Sequence, residues 1–203
     1  MSSSYHLYGI ARAGSVIIEY LLEKGGIPYT VSFPDKAERD TAAFRIHSPR
    51  GQIPVLITPE GDGISESLAI ILYLLDRHPE IGLWPDPADK ARGKTLQWLS
   101  FLAVNLYTAN QRYYQTASFN GDQKAIRKGG FDDRRMIYGE LDAVLSPYFV
   151  GTQLTAADLY LYMFLKWDRH VDQVLADHPN LARLYHDIDG LDYVAPVNNR
   201  QPE

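Results

Sequence analysis

Two short stretches of this chain carry groups whose types and spacing suit the binding of a peptide-like anion. The first is Gln52-Ile53-Pro54-Val55, where Pro54 leads into the apolar run Val55-Leu56-Ile57. Proline cannot donate to a strand ladder, so it belongs at a strand start, an edge or a cis turn. A cis bond at Ile53-Pro54 would turn the N–H and C=O of Ile53 outward, where an extended peptide can pair with them. An ordinary trans proline opening a strand is the commoner case for an isolated Ile-Pro pair. The second stretch, Ser65-Glu66-Ser67, precedes Leu68-Ala-Ile-Ile-Leu-Tyr-Leu-Leu75, whose apolar residues recur at helical spacing. Free N–H groups and the positive end of a helix dipole therefore fall near Ser67, where a carboxylate is stabilised, and Glu66 offers a charge to an ammonium. Taken alone, this segment also reads as an N-cap with a first-turn acid.

An α-amino-acid head at the one motif and an extended backbone at the other describe γ-glutamyl-cysteinyl-glycine, glutathione. The chain resembles the cytosolic glutathione transferase superfamily over nearly its whole length. Ser48-Pro-Arg-Gly-Gln-Ile-Pro-Val-Leu56 is similar to the family's cis-proline loop, and Glu66-Ser67 to its glutamyl-binding pair. Gly151-Thr-Gln-Leu-Thr-Ala-Ala-Asp158 is similar to the capping box of its buried core helix, with Thr155 as cap and Asp158 bonding back to the cap's amide. The resemblance implies glutathione as co-substrate bound by Gln52, Ile53, Pro54, Glu66 and Ser67, no other cofactor, and a two-fold homodimer. It also implies a thiol-activating donor near the end of the first strand. Tyr8 stands at the tyrosine-class position, Ser15 opens the following helix, and Arg12 occupies the place of the serine in theta-like enzymes. Ser15 with the helix N-terminus, Tyr8 with Arg12 adding positive charge, and neither of them all remain open. As structural residues, the same three would be a helix cap, a packed strand tyrosine and a solvated loop charge.

Composition narrows the function classes. With 203 residues the chain can form two small domains, each with its own core. A net charge of −5 provides no basic field for nucleic acid, and Arg127-Lys128 and Arg134-Arg135 read as solvated helix faces. No apolar run approaches membrane-spanning length and the start of the chain lacks a signal-peptide pattern, so a cytoplasmic protein is the expectation. The absence of cysteine excludes a protein thiol from the chemistry, leaving the ligand's own sulfur. The six histidines show no metal-ligand spacing, and no metal is expected. Fourteen tyrosines include Tyr107, Tyr113 and Tyr114, which could line a pocket for a flat electrophilic second substrate or equally serve as amphipathic packing residues.

The elements that must position these groups follow from periodicity and breakers. A strand at His6–Gly9, a helix at Ser15–Lys24, a strand at Tyr29–Phe33, an irregular helix through Arg39–Ile46, a hairpin of Val55–Thr58 with Gly63-Ile64, and a helix at Ser67–Arg77 make an α/β thioredoxin-like N-terminal domain. It is assigned residues 1–80. A proline-rich linker spans 81–88, and an all-α helical C-terminal domain spans 89–203. The helical patterns run over about 92–114, 132–145, 155–166 and 181–188, with 118–130 as a polar break and 194–203 as a loosely ordered tail. The function that the resemblance implies is a detoxifying transferase joining the glutathione thiolate to an electrophile, or a glutathione-dependent peroxidase. The alternative is a noncatalytic glutathione- or protein-binding module on the same fold.

Overall fold

The structure, a computed structural model, describes residues 4–201. The reading of the first three residues and of Pro202 therefore lies outside the described part. The chain divides into two compact units, one running through Trp84 and including the residues from Ile188 on, the other Pro85–Asp187.

In the first unit, β1 (Tyr5–Tyr8), β2 (Tyr29–Ser32), β3 (Val55–Ile57) and β4 (Gly63–Ser65) form one sheet in the order β2-β1-β3-β4. β1 and β2 run parallel, and the other two pairings are antiparallel. Alternation along β1 buries Tyr5 and Leu7 and leaves His6 and Tyr8 half-buried on the opposite face. α1 (Val16–Lys24) and α4 (Ser67–Arg77) pack against each other, burying Ile17, Tyr20, Leu21, Ile70, Ile71 and Leu74. On the other face, Phe44 meets the Tyr8 ring edge-on at 5.3 Å. The single irregular helix expected at 39–46 is two one-turn helices, α2 (Lys36–Arg39) and α3 (Ala42–Arg45). They are separated because Asp35 and Thr41 each cap a fresh start, accepting from Glu38 N–H and Phe44 N–H.

The second unit is helical. α5 (Lys90–Phe101) continues through a wide π turn (Leu102–Leu106) into α6 (Tyr107–Tyr114), so the expected long helix exists with a local unwinding at its middle. α7 (Gln123–Val144) starts nine residues before the expected 132, inside the polar break. Asp122 caps it by accepting from the Lys124 and Ala125 N–H groups. The Gly129-Gly130 pair is no breaker, since a Cβ at Gly130 would lie 2.6 Å from the Tyr113 nitrogen; here glycine permits close helix approach. α8 (Ala156–Lys166) is buried on nearly every side, as its apolar composition requires. Two helices follow, α9 (Val171–Asp177), which periodicity did not reveal, and α10 (Pro179–Asp189), after which the chain returns to the first unit as α11 (Ala195–Arg200).

Two expectations need correction. The segment read as a loose tail contains α11, which packs against α1 with Val194 and Val197 fully buried. Arg134 is no solvated charge either: it is 3% exposed and paired with the buried Asp168. Asp168 also accepts from the Tyr138 hydroxyl at 2.9 Å and from His170 N–H at 2.9 Å. These bonds satisfy the carboxylate of the buried pair, while the Arg134 Nε has no hydrogen-bond partner among the described residues and the guanidinium lies over the rings of Tyr113 and Tyr114. The sequence hid this pair because its partners lie 34 residues apart.

Candidate functional site

Strand register assembles the predicted residues. Val55 of β3 is paired with Tyr8 of β1 on one side and with Ser65 of β4 on the other. β1 and β4 leave the sheet at this row and β3 enters it, so the chain on either side of the row emerges at one end of the sheet. Three segments meet there: the loop of residues 9–15, the Gln52-Ile53-Pro54 turn, and Glu66-Ser67. Pro54 and Glu66 each lie one residue beyond the paired Val55 and Ser65. Adjacent antiparallel strands hold such positions roughly 5 Å apart.

The turn before β3 is cis at Ile53-Pro54. Gln52 is exposed, Ile53 half-buried and Pro54 buried. Its shape is fixed by residues that sequence reading missed. The Ser48 hydroxyl oxygen accepts from Gln52 N–H at 2.9 Å, Arg39 Nη1 donates to the Gly51 carbonyl at 3.2 Å, and Arg45 Nη1 donates to the Pro49 carbonyl at 3.0 Å. Gly51 has φ +63° and sits so close to Arg39 that a Cβ would lie 2.8 Å from its carbonyl oxygen. Thus α2 and α3 serve as the brace of this loop. The only advance signal was the pair of arginines upstream of a glycine-containing turn.

Glu66 occupies an unusual backbone state, φ 70° and ψ 117°, and is exposed immediately ahead of α4. A non-glycine residue at positive φ is held there by its surroundings, and such positions cluster at ligand sites. Its carbonyl accepts the Ile70 N–H at 3.0 Å. Ser67 is half-buried in the first turn, where amide groups at the helix start point outward.

The third segment holds the candidate thiol-activating residues. Ser15 is 1% exposed and precedes α1 in helical conformation without capping it through its side chain. Its hydroxyl instead donates to the Ile10 carbonyl at 3.0 Å and accepts from Ile10 N–H at 3.2 Å, closing the loop on itself. Gly9 fits because a Cβ there would come within 2.8 Å of that hydroxyl oxygen. Tyr8 is half-buried, edge-on to His6 at 4.6 Å as well as to Phe44. Arg12 is exposed, with φ 53°, and its N–H donates to Gln201 Oε1 at 3.1 Å.

In the helical unit, the three predicted tyrosines separate. Tyr107 lies edge-on to Phe164 at 5.6 Å. Tyr113 and Tyr114 contact each other and stand over the Arg134 guanidinium at 4.8 and 5.0 Å. The Tyr113 hydroxyl pairs with His170 Nε2 at 2.9 Å, and that of Tyr114 donates to Asp168 at 3.4 Å while accepting from Arg169 N–H at 3.2 Å. Burial raises the Tyr114 hydroxyl's pKa above the ordinary tyrosine value, so it stays protonated. A hollow of about 30 Å³ beside this cluster is lined by Phe131, Arg135, His170 and Val174 among others, and by none of the three tyrosines. Among the described residues no group of three or more histidines and acids is placed to hold a metal, and no helix is long and apolar enough to cross a membrane.

A four-stranded mixed sheet with a cis-proline turn beside a positive-φ acid, followed by a helical unit, is the arrangement of glutathione-binding proteins of thioredoxin-like fold. Family models agree: residues 15–77 match the glutathione S-transferase N-terminal domain and residues 116–196 its C-terminal domain. This chain belongs to the cytosolic glutathione transferase superfamily. It is 24% identical over 166 residues to glutathione S-transferase GST-4.5 of Xanthomonas campestris, covering 79% of this chain and 81% of that one. A glutathione transferase homologue from Sulfitobacter, solved with bound glutathione, superposes with a TM-score of 0.87 at 19% identity over 98% and 99% of the two chains. A sphingomonad glutathione S-transferase complexed with glutathione gives 0.84 at 25% identity over 97% and 98%.

Proposed function

We propose that this protein binds reduced glutathione at the shared sheet end and adds its thiolate to an electrophilic small molecule, or uses it to reduce a peroxide. The observation that carries this reading is the Tyr8–Val55–Ser65 row, from which the cis Ile53-Pro54 turn, Glu66-Ser67 and the loop of residues 9–15 all emerge. The Ile53 backbone pairs with the cysteinyl segment of the ligand, and Gln52 is exposed beside it. Ser67 and the start of α4 take the γ-glutamyl carboxylate, while Glu66 takes the ammonium.

Activation consists of stabilising the sulfur anion. A thiol near its ordinary pKa is only a few per cent ionised at neutral pH, so a nearby donor or positive charge raises the nucleophile's concentration. Tyr8 ends β1 and Arg12 lies in the loop that follows, so both belong to the chain at the sheet end, and the start of α1 adds its dipole. Ser15 is weaker as a direct donor because its proton already serves the Ile10 carbonyl. In conjugation the thiol proton leaves to solvent, a carbon–sulfur bond forms and the electrophile's leaving group departs with its electron pair. With no cysteine in the chain, no mixed disulfide with the protein enters the cycle. Tyr107, Tyr113 and Tyr114 are the candidates for the electrophile's surroundings, with Tyr113 and Tyr114 joined to the Arg134–Asp168 cluster.

The setting proposed is cytoplasmic, and the assembly a homodimer. Leu68 and Leu72 of α4 remain partly open, and Leu96 and Val104 are 41% and 63% exposed, leaving apolar surface for a second copy. A noncatalytic glutathione-binding role is the second reading, favoured by the engagement of the Ser15 hydroxyl with Ile10. Turnover of glutathione with an aromatic chloronitro electrophile decides between the two. Wild-type turnover that falls at least tenfold in Tyr8→Phe or Arg12→Ala supports the enzyme. Glutathione binding without turnover of either electrophile or peroxide establishes the binding module.

A further inference from the structure

α11 lies along α1 and is tied to it by polar contacts as well as by Val197. The Tyr20 hydroxyl donates to Asn198 Oδ1, and Arg200 Nη2 donates to Glu23 Oε1 and to the Tyr29 hydroxyl oxygen, both at 2.7 Å. Just past the helix, the Gln201 carboxamide faces two ways. Its oxygen accepts from Arg12 N–H at 3.1 Å and its nitrogen donates to Glu19 Oε1 at 3.0 Å. Only this orientation of the amide satisfies both neighbours, because an N–H requires an acceptor and a carboxylate requires a donor. Glu19 is 1% exposed on α1, so its oxygen is a fixed anchor. The residue held at the other end, Arg12, has φ 53°, a state that L-residues rarely keep without outside support. The loop of residues 9–15 is therefore closed at two points, internally by Ser15 on Ile10 and externally by Gln201 on Arg12.

We propose that Gln201 is a positioning residue for the glutathione thiol: anchored on Glu19, it holds the Arg12 turn in the shape that presents this loop to the sulfur. The proposal rests on the glutathione reading above. Gln201 touches no substrate in this scheme and acts only through Arg12. Removing its amide releases one backbone hydrogen bond at a strained residue, so the loop opens more often and the sulfur loses its fixed positive surroundings.

Gln201→Leu removes both contacts, and Gln201→Glu keeps an acceptor for Arg12 but sets a second carboxylate against Glu19. The other groups facing Glu19 are Tyr29 from β2, Arg200 from α11 and Glu23 from its own helix. Three measurements apply: amide hydrogen exchange at Arg12 in the ligand-free protein, the ultraviolet thiolate band of bound reduced glutathione across pH, and affinity for S-methylglutathione. In Gln201→Leu, exchange at Arg12 rises about tenfold, as for one lost hydrogen bond. The pH midpoint of the thiolate band moves up, and S-methylglutathione binds within about twofold of wild type, since no ligand contact has changed. In Gln201→Glu, protection at Arg12, corrected for intrinsic exchange, returns as the pH falls and the two carboxylates share a proton. Equal exchange at Arg12 in wild type and Gln201→Leu overturns the clamp, whatever the ligand. Faster exchange with an unmoved thiolate midpoint overturns the positioning role. A wild-type protein that binds neither glutathione nor its S-methyl analogue overturns the glutathione reading, and the role of Gln201 toward the thiol falls with it, while exchange at Arg12 still reports on the clamp.

Discussion

Glu66 and Arg12 are the two non-glycine residues at positive φ among those described, and they flank the same end of the sheet. Each is a local conflict between side-chain sterics and backbone shape, and such conflicts survive where the surrounding structure fixes them. Arg12 is supported by Gln201, and Glu66 by its Ser65 neighbour in β4 and the start of α4. For Glu66 the expected consequence concerns affinity. Glu66→Ala removes the charge facing the ligand ammonium and lowers glutathione affinity about tenfold, roughly 1.4 kcal/mol, with a near-unchanged melting curve because the side chain is exposed. Calorimetric titration of both proteins checks this, and equal affinities would remove Glu66 from the site. The two motifs at this site were readable as text because each is contiguous. The Ser15–Ile10 bridge was not, since the same serine before a helix reads as a cap until its hydroxyl direction is known.

Helices α1 and α8 illustrate how buried carboxylates act on whole elements. At the start of α8, Asp158 accepts from Thr155 N–H and from Phe149 N–H, both at 2.8 Å, as well as from the Thr155 hydroxyl at 2.7 Å. Burial pushes its carboxyl above the usual range, and these hydrogen bonds pull it down. Asp158→Ala leaves the two amide donors buried without partners, and the expected loss is about 2 to 4 kcal/mol. Denaturant unfolding measures it; an unchanged midpoint would mean the cap contributes nothing. Glu19 on α1 is buried too, and its pKa is raised above 4.5 first by burial, which outweighs Gln201, Arg200 and Tyr29. The folded state then binds the proton more tightly than the unfolded chain does. Stability linked to this group is fully present below pH 4.5 and is lost as pH rises through the raised folded value. Glu19→Gln lacks that dependence, so its midpoint improves relative to wild type as the pH is raised from 4.5 to neutrality. A constant difference between the two proteins across that series would show that Glu19 titrates alike in both states.

For the whole molecule the proposal is an isologous pair. In the first unit α4 leaves Leu68 and Leu72 partly open, and in the second α5 and the π turn leave Leu96 and Val104 exposed, apolar side chains that a second copy could cover. An interface of standard size or larger persists at low micromolar concentration. Sedimentation velocity over a dilution series is expected to show one species near twice the 23.0 kDa chain mass. A species at the chain mass throughout would remove the dimer and leave the glutathione site as it stands.

What the sequence determined by itself was what short-range rules write into contiguous residues: the Ile-Pro turn, the Glu-Ser start of α4, the Thr155–Asp158 box and the order of the four strands with α1 and α4. α4 has the same bounds in both readings, Ser67–Arg77, because an apolar period of 3.6 begins and ends within one stretch of chain. Tertiary structure decided what depends on partners far along the chain. Gly129-Gly130 reads as a break until Tyr113 packs against it, Arg134 reads as a surface charge until Asp168 reaches it, and the segment after Val194 reads as a tail until α1 covers Val197. Intrinsic preference for these segments is weak, so burial and pairing set their state, and both require the folded neighbour to be present.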